Sequence, residues 1–399
     1  MIVLLTLLSL AGPTLPTVAA PPSVAARPEM RGLWVVRTGL VTPEAVDQVV
    51  DSAARAGFNA LFVQVRGRGD AFYASRLVAR SELLRGQRAD FDPLARLLRA
   101  ARARGMEVHA WINVLLTAHY GLPLAPGHVA VRHPEWLMVP KGAARAALGA
   151  PRSEIVPLIE SHRGSGDAEG LYLSPSAPGV AAHLAEVAAE LVGAYAVDGL
   201  HLDFIRYPGP EYDWSRAALE GFRRWSSGGG DLLAAPSRDP EGWGTYRRAA
   251  LDALAARVSG AARRARPGIV VSAAVVPDQA QALYHKYQSW PSWMARGVVD
   301  AVCPMAYSPD TRVFRAQVEQ ARTKLGPQAR LWAGVGAWRL PVDDVIEKIR
   351  TAREAGASGV VLFSHESLAA GDLERLRQDA FPAGVSLPTA TGAGRGARR

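Results

Sequence analysis

The sequence predicts a (β/α)8 TIM barrel, a closed ring of parallel strands in which a helix connects each strand to the next. Three observations favour this fold class. Apolar runs of strand length alternate with amphipathic segments of helical length, which yields one opening strand and seven helix-then-strand units. Strands separated by helices need right-handed crossovers and therefore run parallel. The remaining length lies in two insertions that directly follow strands, so no second core is required.

Local signals give the order of the elements. Thr42–Glu44 has the form of an N-cap, a proline at the first helical position and a first-turn acid, and Gly57 closes the helix. A second helix begins at Asp92 and ends at Gly105. The eight predicted strands are Met30–Val36, Ala60–Arg66, Glu107–Asn113, the strand that begins at Gly199, Ile269–Val276, Val299–Tyr307, Arg330–Val335 and Gly359–Ser364.

Both insertions leave the carboxyl ends of strands. The first covers residues Val114 to Ser174 after the third strand, and the second runs from Arg206 to about Asp239 after the fourth. Because barrel enzymes build their active sites from loops at this end, both insertions are expected to frame a catalytic cleft. The alternative fold, a doubly wound open sheet, requires a Gly-rich phosphate loop after the first strand, and Arg37–Leu40 does not match it.

The ends of the chain differ from its middle in composition. Residues 1–20 contain a short apolar run and a small-residue cleavage site, so we expect a signal peptide and export to the periplasm or the extracellular space. The run is too short to span a bilayer. Residues 21–28 are predicted to be a Pro/Ala linker, residues 29–382 the barrel, and residues 383–399 a disordered basic tail.

Composition narrows the class of protein. Hydrophobic residues make up 49% of the 399 residues and charged residues 21%, which is typical of a globular protein. The single cysteine, Cys303, excludes an internal disulfide framework and a multi-cysteine zinc site. The net charge of +9 comes from arginines spread over helix faces such as Arg96 to Arg104, without a nucleic-acid-binding motif. We therefore expect no nucleic-acid partner, although attraction to an acidic envelope polymer stays open.

The fourth strand carries the residue on which the functional prediction depends. A side-chain period of two puts Gly199, His201 and Asp203 on one face and apolar residues on the other. Asp203 then stands at the carboxyl end of the strand, on the polar face. A carboxylate in that position is costly unless it is hydrogen-bonded or used.

Polar and aromatic side chains gather at the same end of other strands. The candidate substrate-binding residues, from the strand ends and the loops that follow, are Gln64, Arg66, Asp70, His109, Trp111, Asn113, His201, Arg206, Tyr207, Tyr307 and Trp338. Nine aromatic residues in or near the loops could stack on sugar rings; they are Trp136, Tyr172, Tyr207, Tyr212, Trp214, Trp243, Trp290, Trp293 and Trp338. Carboxylates combined with aromatics are what sugar hydrolysis requires, so a glycoside hydrolase with a polysaccharide substrate is predicted.

Two alternatives stay open at this point. The first is a barrel that binds glycan without hydrolysing it. The second is a metal-dependent hydrolase in which His201 and Asp203 join His109 as ligands, although no His-Glu-x-x-His pattern supports it. A serine nucleophile is not expected because no Gly-x-Ser-x-Gly elbow is present. No cofactor is predicted.

Several motifs in order resemble a known group, the bacterial glycosyl-hydrolase-like family 10 of exported barrels. The motifs, which lie between about Glu29 and Asp379, are Arg31–Trp34, Phe62–Tyr73, His109–Asn113, Asp198–Pro208 and Pro304–Tyr307. The resemblance implies a (β/α)8 barrel that hydrolyses O-glycosidic bonds. In one branch of the family the substrate is peptidoglycan glycan strands stripped of their peptides.

The resemblance also implies roles for carboxylates. Asp203 would be the nucleophile or base, and Asp310 the leading candidate for the acid, with Asp278, Glu211 and Glu366 behind it. Phe204 stands where other branches have a second Asp or a Tyr, which argues against a mechanism with two adjacent aspartates.

Overall fold

The computed structural model describes residues 28–163 and 168–382, and in these residues eight parallel strands close into a barrel. Each barrel strand pairs in parallel with its two neighbours. The predicted fold class is confirmed. The predicted leader (1–20), the linker (21–28) apart from its last residue, and the tail (383–399) lie outside the described residues.

The strands fall where the apolar runs predict them. Within the described chain they are β1 (Met30–Val35), β2 (Ala60–Arg66), β3 (Glu107–Asn113), β4 (Leu116–His119), β5 (Gly170–Tyr172), β6 (Gly199–Asp203), β7 (Val270–Val275), β8 (Ala301–Pro304), β9 (Arg330–Gly336) and β10 (Gly359–Phe363). β8 is shorter at both ends than its predicted run, Val299–Tyr307. Around the barrel the strands follow the order β1-β10-β9-β8-β7-β6-β3-β2.

Helices cover the outside of the barrel and build parts of the insertions. Among the described residues they are α1 (Pro43–Arg55), α2 (Pro93–Ala103), α3 (Val129–Arg132), α4 (Ala144–Gly149), α5 (Ile155–Ser161), α6 (Val180–Ala194), α7 (Arg216–Trp225), α8 (Ala235–Arg238), α9 (Pro240–Ala265), α10 (Trp290–Ala295), α11 (Thr311–Leu325), α12 (Val342–Glu354) and α13 (Ala370–Asp379). None of them is both long and apolar enough to cross a membrane.

The predicted caps form. The Thr42 side chain accepts a hydrogen bond from the Ala45 N–H at 3.1 Å, and the Asp92 side chain accepts one from the Ala95 N–H at 2.9 Å. Gly57 follows α1 with a φ of +86°, a left-handed conformation that glycine adopts at little cost.

Arginines on α2 and directly after it form ion pairs with acids on α1. Arg96 contacts Asp47 at 2.9 Å through Nε, and Arg104 contacts Asp51 at 2.6 Å. These ion pairs join neighbouring helices, so part of the positive charge on this face is already compensated.

Apolar side chains fill the barrel interior. Trp34, Phe62, Trp111, Cys303 and Trp332 all turn inward and are at most 4% exposed. This packing makes the interior a core rather than a pore, as in other barrels of this type.

The insertions pack onto the carboxyl end of the barrel. In the first, β4 and β5 form a separate antiparallel sheet. The second is tied to the first by Asp213, which is fully buried and whose Oδ1 accepts hydrogen bonds from the Val139 N–H at 3.2 Å and the Ser215 N–H at 2.9 Å. This contact links the loop that follows β6 to the insertion that follows β3.

We expect Gly199→Ala to destabilise the barrel by about 1–3 kcal/mol, the usual cost of overpacking a core. A Cβ at Gly199 would lie 2.1 Å from Nδ1 of His109, which is 1% exposed and has little room to move. The change in free energy of unfolding can be measured by urea denaturation. Gly193→Ala is the matched control, because position 193 is exposed on α6 and a Cβ there meets nothing within 4 Å, so alanine should stabilise the protein by up to about 1 kcal/mol. Equal effects of both changes would contradict this account.

Candidate active site

A cleft of about 320 Å³ opens at the carboxyl end of the barrel strands. We call it the barrel cleft. Its walls come from the ends of seven barrel strands or the residues just after them, and from both insertions. The predicted site residues that line it are Gln64, Trp111, Asn113, Asp203, Arg206 and Tyr307.

Asp203 ends β6 with its side chain turned into the cleft, and it is 6% exposed. Its Oδ1 accepts a hydrogen bond of 2.6 Å from the N–H of Phe204. Burial raises the pKa of the Asp203 carboxyl above its usual value, while the charge of Arg206 and the Phe204 N–H offset part of that shift. The predicted inward parity of the strand is therefore observed.

The backbone turns sharply immediately after this carboxylate. Phe204 has a φ of +48°, in the left-handed region that a residue with a bulky side chain rarely occupies. Strained backbone of this kind is common at functional sites. Here the residue with this conformation, Phe204, donates its N–H to the carboxylate of Asp203.

A second carboxylate, Glu169, lines the same cleft. Arg206 lies between the two acids: its Nη2 is 3.5 Å from Oε1 of Glu169 and its Nη1 is 3.8 Å from Oδ1 of Asp203. The guanidinium also lies over the ring of Phe204, at 4.4 Å from the ring centre. The two carboxylates are thus no farther apart than one guanidinium can span.

Glu169 is a site residue that the sequence-based prediction missed. It stands directly before β5, whose pairing with β4 brings it to the cleft. Gly170 permits this pairing, since a Cβ there would lie 1.8 Å from the backbone oxygen of Ala118. His119 Nδ1 donates to the Glu169 backbone oxygen at 2.9 Å, and the Tyr172 hydroxyl donates to Glu169 Oε2.

A chain of amides forms one wall of the cleft. Asn113 donates from Nδ2 to the Gly67 oxygen at 2.7 Å, and its Oδ1 accepts from the Trp111 indole at 3.0 Å. Gln64 donates to the same Oδ1 at 3.4 Å and accepts from Arg37 Nη1 at 2.9 Å. These bonds fix the orientation of both amides before any ligand binds.

His201 lies below the cleft and is fully buried. Its Nε2 accepts from the Trp34 indole at 3.2 Å, so the ring proton is on Nδ1, which donates to Ser272 Oγ at 2.9 Å. Burial, and secondarily the charge of His109, lower the pKa of His201 to about 3. His201 is therefore a neutral residue that supports the strand carrying Asp203.

This environment predicts a loss of stability in acid. Unfolded histidine binds a proton near pH 6.5, whereas folded His201 does so only at about 3. Its contribution to stability is complete above about pH 6.5 and is lost as the pH falls toward 3, at up to ~1.4 kcal/mol per pH unit. His201→Gln, which cannot titrate, should show a smaller loss of unfolding free energy between pH 6.5 and 4. Parallel curves for the two proteins would contradict the assignment.

The predicted alternative of a metal site is not formed by these residues. Both ring nitrogens of His201 are already hydrogen-bonded. His109 stacks on Phe62 at 4.5 Å and its Nε2 lies 3.3 Å from Glu107, away from the cleft. Within residues 28–163 and 168–382, no group of three or more His, Cys, Asp and Glu side chains is arranged to bind a metal ion.

The acids predicted from the resemblance to accompany Asp203 do not line the cleft. Asp310, the leading candidate, is exposed and caps α11, where its Oδ1 accepts from the Arg312 N–H at 2.7 Å. The side chain and N–H of Arg312 hold the pKa of Asp310 below its usual value, which is unfavourable for a proton donor. Asp278 accepts from the Gln281 N–H at 2.7 Å.

Two further predicted acids lie elsewhere. Glu211 is exposed, and its backbone oxygen accepts a hydrogen bond from the Lys141 N–H at 2.9 Å. Glu366 lies nearer, at the rim, where its Oε1 accepts from the N–H of the lining residue Val36 at 3.0 Å. Burial of its carboxyl raises the pKa of Glu366. A catalytic role for these acids stays a prediction without support from their positions.

Besides His201 and Trp338, which lies at the rim, four predicted substrate-binding residues lie outside the cleft. Arg66 is fully buried and donates to the backbone oxygen of Asn113, because the pairing of β2 with β3 shifts register at this point. Tyr207 is buried against Tyr287, with ring centres 5.2 Å apart. Asp70 accepts from the Arg68 N–H, and His109 lies inside the barrel.

Most of the nine loop aromatics pack in the interior rather than in the cleft. Seven of them are buried: Tyr172, Tyr207, Tyr212, Trp214, Trp243, Trp290 and Trp293. Trp338 is 41% exposed and packs edge-on against Tyr307 and Phe363, at 4.8 and 5.3 Å between ring centres. Tyr307 and Phe363 line the cleft, so Trp338 extends an aromatic surface from the cleft to the rim.

Comparison with known proteins agrees with the barrel and its motifs. Residues 29–331 match the family described as "Glycosyl hydrolase-like 10". The chain is 26% identical over 303 residues to "Glycosyl hydrolase DigH" of Escherichia coli (strain K12). This alignment covers 68% of this chain and 60% of that protein. It is 27% identical over 198 residues to "Glycosyl hydrolase YngK" of Bacillus subtilis (strain 168), covering 45% and 34%. The chain thus spans 60% or less of these relatives' length.

Solved structures share the fold at low identity. The PgaB (BpsB) glycoside hydrolase domain from Bordetella bronchiseptica superposes with a TM-score of 0.64 and 17% identity, over 88% of this chain and 99% of that one. A β-galactosidase from the Antarctic haloarchaeon Halorubrum lacusprofundi gives a TM-score of 0.60 at 13% identity, over 90% and 59%. At these identities the likeness concerns the fold alone.

Proposed function

The chain belongs to the glycosyl hydrolase-like 10 family, and from this membership we propose that it is a glycoside hydrolase with Asp203 and Glu169 as its two catalytic carboxylates. Relatives named as glycosyl hydrolases support a glycosidase-type function. The observation that carries the assignment of residues is that both acids line one cleft and contact one guanidinium.

The chemistry needs one acid and one base or nucleophile. Hydrolysis breaks the bond between the anomeric carbon and the bridging oxygen, while water supplies a hydroxyl to the carbon and a proton to the oxygen. Two carboxyl groups about 5 to 5.5 Å apart support retention of configuration, and about 6.5 to 9.5 Å support inversion. A pair joined by a single guanidinium is on this scale.

We assign the base or nucleophile to Asp203 and the acid to Glu169. Asp203 accepts a short hydrogen bond from the Phe204 N–H and lies within reach of the Arg206 charge, and both contacts favour its ionised form. Burial opposes that form, so Asp203 is a poorly solvated carboxylate at the floor of the cleft. Glu169, on the wall, can protonate the leaving oxygen of a sugar bound above Asp203.

The proposed substrate is a bacterial envelope or extracellular polysaccharide. The exposed ring of Trp338, continuous with Tyr307 and Phe363, offers a flat apolar surface on which a sugar face can stack. Export rests on the predicted leader at residues 1–20. The first substrate to test is peptidoglycan glycan stripped of its peptides, the substrate implied by the family resemblance.

The test is incubation of the purified protein, without residues 1–20, with stripped peptidoglycan strands and with neutral and acidic glycans. We expect mass spectra to show shorter chains, with the elements of one water added for each glycosidic bond cleaved. Binding without cleavage of any glycan would favour the non-catalytic barrel. EDTA should leave the rate unchanged, whereas a loss of activity that added metal restores would favour a metal-dependent hydrolase.

A further inference from the structure

One guanidinium in the wall of the barrel cleft has no carboxylate partner. Arg37 lines the cleft and is half-buried. In the described part of the chain its side chain makes one hydrogen bond, from Nη1 to Gln64 Oε1 at 2.9 Å, and no carboxylate lies within 4.0 Å of it. A guanidinium has five N–H donors, so most of those on Arg37 are available to a ligand.

The position of this group is fixed by its surroundings. A Cβ at Gly67 would lie 2.8 Å from Nη1 and 2.9 Å from Cδ of Arg37, so the side chain lies against a residue that has none of its own. Gln64, which holds Nη1, is itself bonded to Asn113. Arg37 is therefore held in place before ligand binds, which lowers the entropic cost of using it.

A second guanidinium, that of Arg68, adds positive charge near Arg37. Burial lowers the pKa of Arg37, and the charge of Arg68 lowers it further. His119, also in the cleft wall, has its pKa lowered by burial and then by Arg68 and Arg37. The charge of Asp70 raises the pKa of Arg37 and offsets part of this shift, but Asp70 accepts from the Arg68 N–H at 2.9 Å and forms no ion pair within 4.0 Å with either guanidinium.

Arg37 differs from Arg206, the other arginine in the cleft wall, in having no carboxylate contact within the described residues. Arg206 contacts the two acids of the cleft, at 3.5 and 3.8 Å, so its charge is compensated inside the protein. Arg37 has no such partner, and a desolvated charge without a partner is costly. A ligand that carries a negative charge would remove that cost.

We propose that Arg37 binds a carboxylate carried by the sugar, which makes the substrate an acidic glycan; the proposal rests on the glycosidase function proposed above. The planar fork of arginine can donate two parallel hydrogen bonds to a carboxylate. Two kinds of sugar carry a carboxylate. In a uronic acid it is attached directly to the sugar ring, and in some hexosamines it belongs to an acid substituent joined through an ether bond. The shared chemistry is the carboxylate.

The experiment measures binding without turnover, in the otherwise complete protein with Asp203→Asn. Calorimetry would compare each of two ligands, an oligouronate and a stripped peptidoglycan oligosaccharide, with its carboxyl-reduced form. We expect at least one carboxylated ligand to bind about tenfold more tightly than its reduced form. Which of the two does so identifies the source of the carboxylate.

Variants at Arg37 assign that preference to this side chain. Adding Arg37→Gln should remove the preference and leave affinity for the reduced ligand unchanged within about twofold, while Arg37→Lys should keep part of it. Arg312→Gln, which removes an exposed arginine at the start of α11, is the matched control and should change neither affinity.

Three results would overturn the proposal, and each leads to a different conclusion. Equal binding of carboxylated and reduced ligands would leave the glycosidase function intact with a neutral sugar next to Arg37. Equal weakening of both ligands by Arg37→Gln would mean that Arg37 binds hydroxyls or only shapes the cleft. Absence of binding by every glycan, with cleavage also absent, would overturn the proposed function itself.

Discussion

Asparagine in place of Asp203 is expected to lower kcat for glycan hydrolysis roughly 10³-fold while the fold stays intact. The substitution keeps the shape of the side chain and its hydrogen bond with the Phe204 N–H, but it removes the charge that must face the anomeric carbon. Since a neutral amide cannot attack carbon or take a proton from water, neither a retaining nor an inverting reaction can proceed through it.

The free energy of unfolding separates this effect from damage to the fold. The pKa of Asp203 is raised by burial, so the ionised group costs stability; this cost grows as the pH rises from the unfolded pKa to the folded pKa and is constant above it. Asparagine does not carry it. The variant should therefore be at least as stable as the parent at pH 7, apart from the lost attraction of Arg206 at 3.8 Å.

Two measurements complete this prediction. kcat and KM are determined on whichever glycan the parent cleaves, and the affinity for that glycan should change much less than kcat. Asp310→Asn is the matched control, because asparagine caps a helix as well as aspartate does and the exposed Asp310 does not line the cleft. Full hydrolysis by a correctly folded Asp203→Asn protein would remove Asp203 from the mechanism.

The inward position of Asp203 could be predicted because it follows from the alternation of side chains along a single strand. Once a strand is located, alternation decides which side chains face inward, and Gly199–Asp203 alternates two leucines with Gly199, His201 and Asp203. The same counting failed for Arg66, where β2 shifts register against β3 between Gln64 and Arg66. A register irregularity leaves no mark in the sequence that alternation alone can detect.

The second carboxylate could not be chosen in this way. Glu169 lies in an insertion that contains several other acids, and it reaches the cleft only because β5 pairs with β4. That pairing joins segments about fifty residues apart, which local patterns do not specify. The position of Glu169 before the apolar run Gly170–Leu173 was an available but weak indication.

The sequence around Asp310 did indicate a structural role for this residue. An aspartate that directly precedes a helical segment is a strong N-cap candidate, and this is the role that Asp310 has. The aromatic residues carried a similar ambiguity. A tryptophan near the carboxyl end of the barrel can stack on sugar or pack against the protein's own core, and buried residues such as Trp290 and Trp293 show that core packing is the commoner use here.

Glutamine in place of Glu169 should lower hydrolysis of a natural glycan roughly 10²- to 10³-fold, with a smaller effect on an activated aryl glycoside. The reason is the leaving group. A sugar alcohol leaves only if its oxygen is protonated, whereas an aryl oxide is stable without a proton. Glutamine keeps the size of the side chain and can still bond to the Tyr172 hydroxyl, so the cleft should retain its shape.

Comparison of the two substrates distinguishes a proton donor from a residue that only positions Arg206. If Glu169 is the acid, the loss depends on the leaving group, and the limb of the pH–rate profile that reports the acid disappears. Added azide should then restore activity and form a glycosyl azide if the enzyme is retaining. Glu366→Gln, at the rim, is the matched control and should keep the parent ratio between the two substrates. An equal loss on both substrates would instead place Glu169 in binding, through its contact with Arg206 at 3.5 Å, and the proton donor would have to be sought elsewhere.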